Sequence, residues 1–419
     1  MKTVNRKVTY QLQLSRTERL RLDEMHGLHC YLYNAALEHR RYAYVQRGVS
    51  LTFKDQCRDL TQLRQSDPQY GGVNAQSLQV TLKRLDLAFQ HFFRRVKLGE
   101  TPGFPRFKSK DRFSGFGYKT HGDGWKFIPG AEGKHGALRL SSVGWVSLRG
   151  CPRKNPMTGK RDLGIPKTME LTKRNGRWQA SITFQKELPV RLKGQEVMAF
   201  DWGVSTYLSG VNQGFKPSSI EHPHFIRKSL LQIKQLGKKL SKQNRGSSGW
   251  RRTRAQISKV YQKLHDQRQN FTHQLSSELI SNSQVIITEE LGIKSMLEDH
   301  HLAQSKGLHR SIADSAVSGL LDKIRYKAEE AGVVFEEVPT RTLKPTQRCA
   351  RCWKVTKKPL SQRVHDCSHC HFKVDRDYNA ALVMMFYYYQ KQGQELALWV
   401  EKLNRVLMKP ETPPITRRV

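Results

Sequence analysis

Glu196-Val197-Met198-Ala199-Phe200-Asp201 is a short apolar run that stops on a carboxylate. A buried strand has this texture, and Asp201 falls where its side chains give way to solvent. Gln284-Val285-Ile286-Ile287-Thr288 repeats the pattern and stops on Glu289-Glu290. Val374-Asp375-Arg376-Asp377 then opens a last apolar helix, which runs through Tyr389. Acids are scarce, 36 Asp and Glu against 73 Lys and Arg in 419 residues, so finding one beside three apolar runs is unexpected. Singly, each fits an exposed strand end or, for Asp377, a helix N-cap. Together they would repel one another unless hard divalent cations with oxygen ligands, Mg²⁺ or Mn²⁺, neutralise them. Two such ions about 4 Å apart activate a water, hold a scissile phosphate and stabilise the leaving oxygen.

Just upstream of Asp377, Cys349-Ala350-Arg351-Cys352 and Cys367-Ser368-His369-Cys370 form two CxxC knuckles separated by 14 residues. Four thiolates at about 2.3 Å from one tetrahedral Zn²⁺ make a closed structural site. Such a site supplies folding energy to a lobe with little core of its own. Four free core cysteines are the poorer reading, because Arg351, Lys354, Lys357 and Lys358 lie among them. His365, His369 and His371 are not needed as ligands. Cys30, Cys57 and Cys151 are scattered and bring the total to an odd seven, which argues against a disulfide framework.

The net charge is +37. A chain this basic condenses onto a polyanion, with nucleic acid first and an anionic membrane surface second. The membrane reading fails: no run of 18 apolar residues exists and Met1-Lys2-Thr3-Val4-Asn5-Arg6 leads into no apolar signal region. A cytoplasmic protein that associates with the nucleoid through DNA is expected. Residues 227–270 concentrate the charge: Lys238, Lys239, Arg251, Arg252, Arg254 and Arg268 stand among other bases with Asp266 as the one acid. Gly246-Ser247-Ser248-Gly249 splits this stretch into a helical hairpin. A charge run of nearly one sign points to phosphate contact more than to a solvated face.

Toward the N-terminus, Val4–Leu12 reads as a strand and Ser15 as the cap of a helix carrying Leu22, Met25, Leu32 and Leu37. Further helices are expected at Phe53–Leu63 and Val73–Val96. From about 101 to 195 the texture becomes short apolar runs between Gly, Pro and Asn, the rhythm of a small β-barrel or sandwich. Phosphate contacts carry no sequence information. For base reading the candidates are Asn74, Gln76 and Gln79, whose amides pair with adenine, and Phe53, which packs on a thymine methyl. The plainer roles are an N-cap for Asn74 and a solvent-facing helix position for Gln79.

Three stretches, Ala199-Phe200-Asp201-Trp202-Gly203-Val204, Ile287-Thr288-Glu289-Glu290-Leu291 and Asp375-Arg376-Asp377-Tyr378-Asn379-Ala380-Ala381, resemble the RuvC motifs of the TnpB family. Gly103-Phe104-Pro105-Arg106-Phe107 and the split zinc ribbon before the third motif fit the same family, so the resemblance covers nearly the whole chain. TnpB proteins are transposon-encoded, RNA-guided DNA endonucleases related to type V CRISPR effectors. The resemblance selects Glu289 over Glu290 and Asp377 over Asp375 as metal-binding acids. Trp202 and Lys344-Pro345-Thr346-Gln347 depart from the family pattern without touching the acids.

The fold class this implies is a multidomain α+β protein. A wedge β-barrel (1–14 and 101–195) would carry an inserted helical recognition lobe (15–100). A RuvC-type, RNase H-like nuclease (196–345 and 371–408) would enclose a zinc ribbon (346–370), with a loose tail at 409–419. The implied activity is metal-dependent cleavage of double-stranded DNA matching a guide RNA, next to a short flanking motif. Asp201, Glu289 and Asp377 would bind two Mg²⁺ or Mn²⁺; Cys349, Cys352, Cys367 and Cys370 would bind one structural Zn²⁺. The partners would be a guide RNA and target DNA, with no membrane and a monomeric protein. A nuclease-dead repressor would have lost acids of the triad, and a DDE-type transposase would lack the ribbon and the Asp-Arg-Asp-x-Asn-Ala-Ala motif.

Overall fold

The structure is a computed structural model of the 419-residue chain. It describes residues 3–152, 161–187, 195–203, 206–292, 314–359, 362–407 and 415–417. The backbone forms two compact units, Met1–Glu187 and Leu188–Val419. Among the described residues no helix is long and apolar enough to cross a membrane.

The first unit opens with β1 (Thr3–Gln13) and α1 (Arg16–Arg47). Ser15 caps α1 and Glu18 closes a capping box, satisfying the first free amides. The helical block continues through α2 (Phe53–Ser66), α3 (Pro68–Gly71) and α4 (Ala75–Lys97). Six strands follow: β2 (Gly115–Tyr118), β3 (Trp125–Pro129), β4 (Gly136–Leu140), β5 (Gly144–Arg149), β6 (Ile165–Arg174) and β7 (Arg177–Glu187). They form one seven-stranded antiparallel sheet, ordered β2-β6-β7-β1-β5-β4-β3. The expected barrel is thus a sheet whose ladder has two ends, with β1 at its centre. Tyr10, Leu22, Leu37, Leu82, Phe116 and Trp178 share one core, so helices and sheet bury a common apolar face.

The second unit begins with a meander, β8 (Glu196–Trp202), β9 (Thr206–Asn212) and β10 (Pro217–Glu221). The basic stretch is α5 (Phe225–Ser241) and α6 (Ser248–Asn282), packed together and broken where Ser247 caps α6. Then come β11 (Ser283–Glu289), α7 (Val317–Ala331), β12 (Val334–Val338) and α8 (Thr340–Leu343). The start of the helix expected from 311 lies outside the described residues. The ribbon hairpin β13 (Val364–Asp366) and β14 (Lys373–Asp375) leads into α9 (Arg376–Lys391), α10 (Leu396–Leu407) and β15 (Ile415–Arg417).

The sheet order is β12-β11-β8-β9-β10-β15, with β8, β11 and β12 mutually parallel neighbours. Helix α9 packs on β8, β9 and β11, while α6 and α7 pack on β11 and β12. Ile415–Arg417, expected to be loose, pairs in parallel with β10. Several elements went unread, among them β10, β2 and α10. β10 begins with Pro-Ser-Ser, β2 is half glycine, and α10 becomes visible through packing, with Trp399 stacked on Tyr389 at 3.7 Å.

Candidate active site

Strand side chains alternate between faces. Val197, Ala199 and Asp201 therefore share one face of β8, and Val285, Ile287 and Glu289 share one face of β11. The apolar members of both sets pack with Ala381, Leu382 and Met385 of α9. Ile287 stands opposite Ala199 in the parallel ladder, and two residues further this register brings Glu289 beside Asp201. Their carboxyl groups are hydrogen-bonded. Glu290 has the other parity and is exposed; its amide donates to the Val338 carbonyl at 2.9 Å.

Asp377 arrives from the first turn of α9. The N-cap of that helix is Asp375, whose carboxylate accepts from the amides of Asp377 at 2.9 Å and Tyr378 at 3.0 Å. Capping is thus assigned to Asp375, and the Asp377 side chain is left for the site. Its Oδ1 lies 3.1 Å from Arg376 Nε. Gly203 lets β8 end close to this helix: a Cβ there would lie 2.8 Å from the Thr206 carbonyl oxygen and 3.8 Å from Asp377 Oδ2.

Burial pushes the Asp201 pKa well above the usual carboxylate range, and the charges of Glu289 and Asp377 push it further, against Arg376. Burial also raises Glu289, opposed by hydrogen bonds from Asp201 and Thr340. Three acids in a low-dielectric corner are costly as anions without a counter-cation. This donor set, all carboxylate oxygen, suits a hard divalent ion. The four cysteine thiols all lie within 4.8 Å of one another.

The cysteines sit 3.6 Å apart for Cys349–Cys370 and 3.5 Å for Cys352–Cys367. A ZnS₄ tetrahedron with 2.3 Å bonds has edges of about 3.8 Å, so the cluster fits a structural zinc site. Burial disfavours the Cys367 thiolate, but amide donors from His369 and Cys370 outweigh it and bring its pKa down to about 6. The ribbon is fastened to α9 by Asn379, fully buried, whose Oδ1 accepts from the Ala350 amide at 3.1 Å. Its Nδ2 donates to the Arg348 carbonyl at 2.7 Å. Sequence reasoning quoted Asn379 only as part of a motif and gave it no role.

The proposed nucleic-acid contacts divide. Lys238, Lys239, Arg251, Arg252 and Arg254 are exposed on the hairpin, with Arg254 over the Trp250 ring at 5.3 Å. Arg268 is instead engaged by Asp314 at 2.8 Å, the two side chains only 23% and 9% exposed. In the first unit Asn74 is the N-cap of α4, accepting from Ser77, and its Nδ2 donates to Asp123 at 2.7 Å. Phe53 packs against the core with Lys83 5.0 Å from its ring centroid. Gln79 is half-buried, and Gln76 Oε1 is buried with no partner among the described residues.

Two family models match the chain: "Probable transposase" over residues 162–299, and "Cas12f1-like, TNB domain" over residues 318–384. The second spans the ribbon and reaches past Asp377. Together with the relatives, these matches support a TnpB-family protein. The chain is 25% identical, over 91% of its length and 89% of the relative's, to a protein of Streptomyces pristinaespiralis named as a proposed RNA-guided DNA endonuclease. It is 24% identical, over 73% of each chain, to a protein of Escherichia coli K12 named likewise, InsQ. Its fold resembles that of the protein in the Cas12f1–sgRNA–target DNA complex, with a TM-score of 0.58 and 14% identity over 88% of this chain and 82% of that one.

Proposed function

We propose that this TnpB-family protein is an RNA-guided endonuclease that cuts double-stranded DNA at a RuvC-type, RNase H-like site. The observation that carries the reading is the meeting of Asp201, Glu289 and Asp377, from two adjacent parallel strands and the first turn of the helix packed on them. A three-strand meander with two parallel strands beside its first member supports the RNase H-like assignment. The names carried by the relatives support the activity and its partners, a guide RNA and a DNA target.

Asp201, Glu289 and Asp377 would hold two Mg²⁺ or Mn²⁺, which when bound supply Lewis acidity and a water of lowered pKa. Asp201 must give up the proton that burial favours before it serves as a ligand. Arg376 fixes the Asp377 carboxylate by its 3.1 Å contact, and Thr340 holds the strand end by donating to the Glu290 carbonyl at 2.9 Å. The exposed bases of α5 and α6 would position phosphate without reading sequence. The first unit would supply the wedge and recognition lobe, with Gln79 and Gln76 reading the flanking motif. The test is cleavage, with Mg²⁺ present or withheld, of a plasmid matched to the guide by protein purified with its RNA. Failure of every guide-matched plasmid under both conditions would sink the reading.

A further inference from the structure

Strand β11 lies between β8 and β12 in the sheet, so Glu289 has a neighbour on each flank. On one side is Asp201, hydrogen-bonded to it. On the other the parallel ladder pairs Glu289 with Val338, the last residue of β12. Pro339, with φ at −71°, turns the chain there into the one-turn helix α8. Thr340 is the first residue of that helix, and its hydroxyl is hydrogen-bonded to the Glu289 carboxyl group. The same Oγ1 stands 2.9 Å from the Glu290 carbonyl oxygen.

Helix α8 is a firm mount for this hydroxyl. Leu343 is buried in the core that Val285, Ile287 and Val338 share, and its amide donates to the Pro339 carbonyl at 3.0 Å. The Lys344 amide donates to the Thr340 carbonyl at 2.9 Å. The strand end is closed without the hydroxyl, because the Glu290 amide donates to the Val338 carbonyl at 2.9 Å. Glu290 is exposed, where water replaces a lost donor at little cost. A threonine hydroxyl has one proton to give, and of its two acceptors an ionised carboxylate forms the stronger, charge-assisted bond. A cation shared by Asp201 and Glu289 has to replace the bond between them. The Thr340 contact comes from the other flank and stays available.

We propose that Thr340 is a positioning residue for the metal site: its hydroxyl donates to the Glu289 carboxylate and fixes how that group faces Asp201 and a divalent cation. Donors behind a ligating group typically account for roughly 10–100-fold in metal affinity. The inference rests on the acid triad being a divalent-cation site, as proposed above.

The test uses the full-length protein with its zinc in place and Mn²⁺ alone as the probe, followed by electron paramagnetic resonance of the free ion. Binding lost in Asp201→Ala defines the share that belongs to the triad. Thr340→Val keeps the shape and removes the hydroxyl, whereas Thr340→Ser keeps the hydroxyl. For Thr340→Val the expected result is triad affinity for Mn²⁺ down by about tenfold or more. The Mg²⁺ concentration for half-maximal guided cleavage should rise in parallel, while the rate at saturating Mg²⁺ and the binding of matched DNA stay near wild type. Thr340→Ser should restore both readouts. Wild-type Mn²⁺ affinity in Thr340→Val, whatever its Tm, would overturn the positioning role, as would a Thr340→Ser protein as weak as Thr340→Val. A wild-type titration identical to that of Asp201→Ala would instead overturn the metal-site reading beneath it.

Discussion

Asn379 and Ala350 are joined by a 3.1 Å hydrogen bond from the Ala350 amide to the Asn379 Oδ1. The side chain two residues beyond Asp377 therefore holds the first cysteine knuckle in place. Ribbon and acid site are one mechanical piece, since β14 runs directly into α9. Asn379→Ala leaves the Ala350 amide and the Arg348 carbonyl buried without partners, at about 1–3 kcal/mol each in the worst case. We expect a lower Tm, faster zinc release to a chelator, and reduced cleavage. Asn379→Asp, which keeps the acceptor, should retain more of all three.

The ribbon itself gives a stoichiometric test. Wild-type protein should contain about one zinc per chain, and Cys352→Ser or Cys367→Ser should lose it. Cleavage should fall with the metal, because the ribbon hairpin feeds the helix that carries Asp377. Metal analysis that finds no zinc in the wild-type protein would contradict this.

Asp201 should trade stability for function. Its folded pKa is raised, first by burial and then by Glu289 and Asp377. The folded state thus holds more protons than the unfolded one between the two pKa values, and metal-free stability falls as pH rises through that window. In EDTA at neutral pH, Asp201→Asn should raise Tm, on the order of 2–4 °C for each 1 kcal/mol relieved. Below the unfolded carboxylate pKa the difference should vanish. Divalent affinity in the wild type should weaken as pH falls, because proton and cation compete for the same oxygens. A Tm for Asp201→Asn equal to or below wild type at neutral pH speaks against a strained acid cluster.

Arg252 and Arg268 lie on the same helix and should behave differently. Arg252 is exposed, so Arg252→Ala should weaken binding to every sequence and lower the salt slope. Arg268 neutralises Asp314, which also accepts from the Ile226 amide at 2.9 Å. Arg268→Ala should instead destabilise the fold, by about 2–4 kcal/mol for a largely buried charge left alone. Urea melts with binding isotherms separate the two outcomes.

Much of the site was legible because strand parity is written in the sequence. Val285, Ile287 and Glu289 alternate with Ile286 and Thr288, and a helix of apolar residues follows Asp377. The knuckles were legible from spacing alone. What could not be read depends on partners distant in sequence. Arg268 looks like any other base of the hairpin until Asp314, 46 residues away, is brought beside it. Asn74 looks like a base reader or a cap, and the turn holding Asp123 engages its second polar atom.

The central claim is that Asp201, Glu289 and Asp377 cut DNA while other groups bind it. The most direct measurement pairs guided plasmid cleavage with guided DNA binding for Asp201→Ala, Glu289→Ala, Asp377→Ala and Glu290→Ala. The account predicts that the first three lose cleavage by about a thousandfold or more, in the range of electrostatic and metal-site losses, and still bind matched DNA. Glu290→Ala should cleave like wild type. Cleavage retained in Glu289→Ala, or lost in Glu290→Ala alone, would contradict the account.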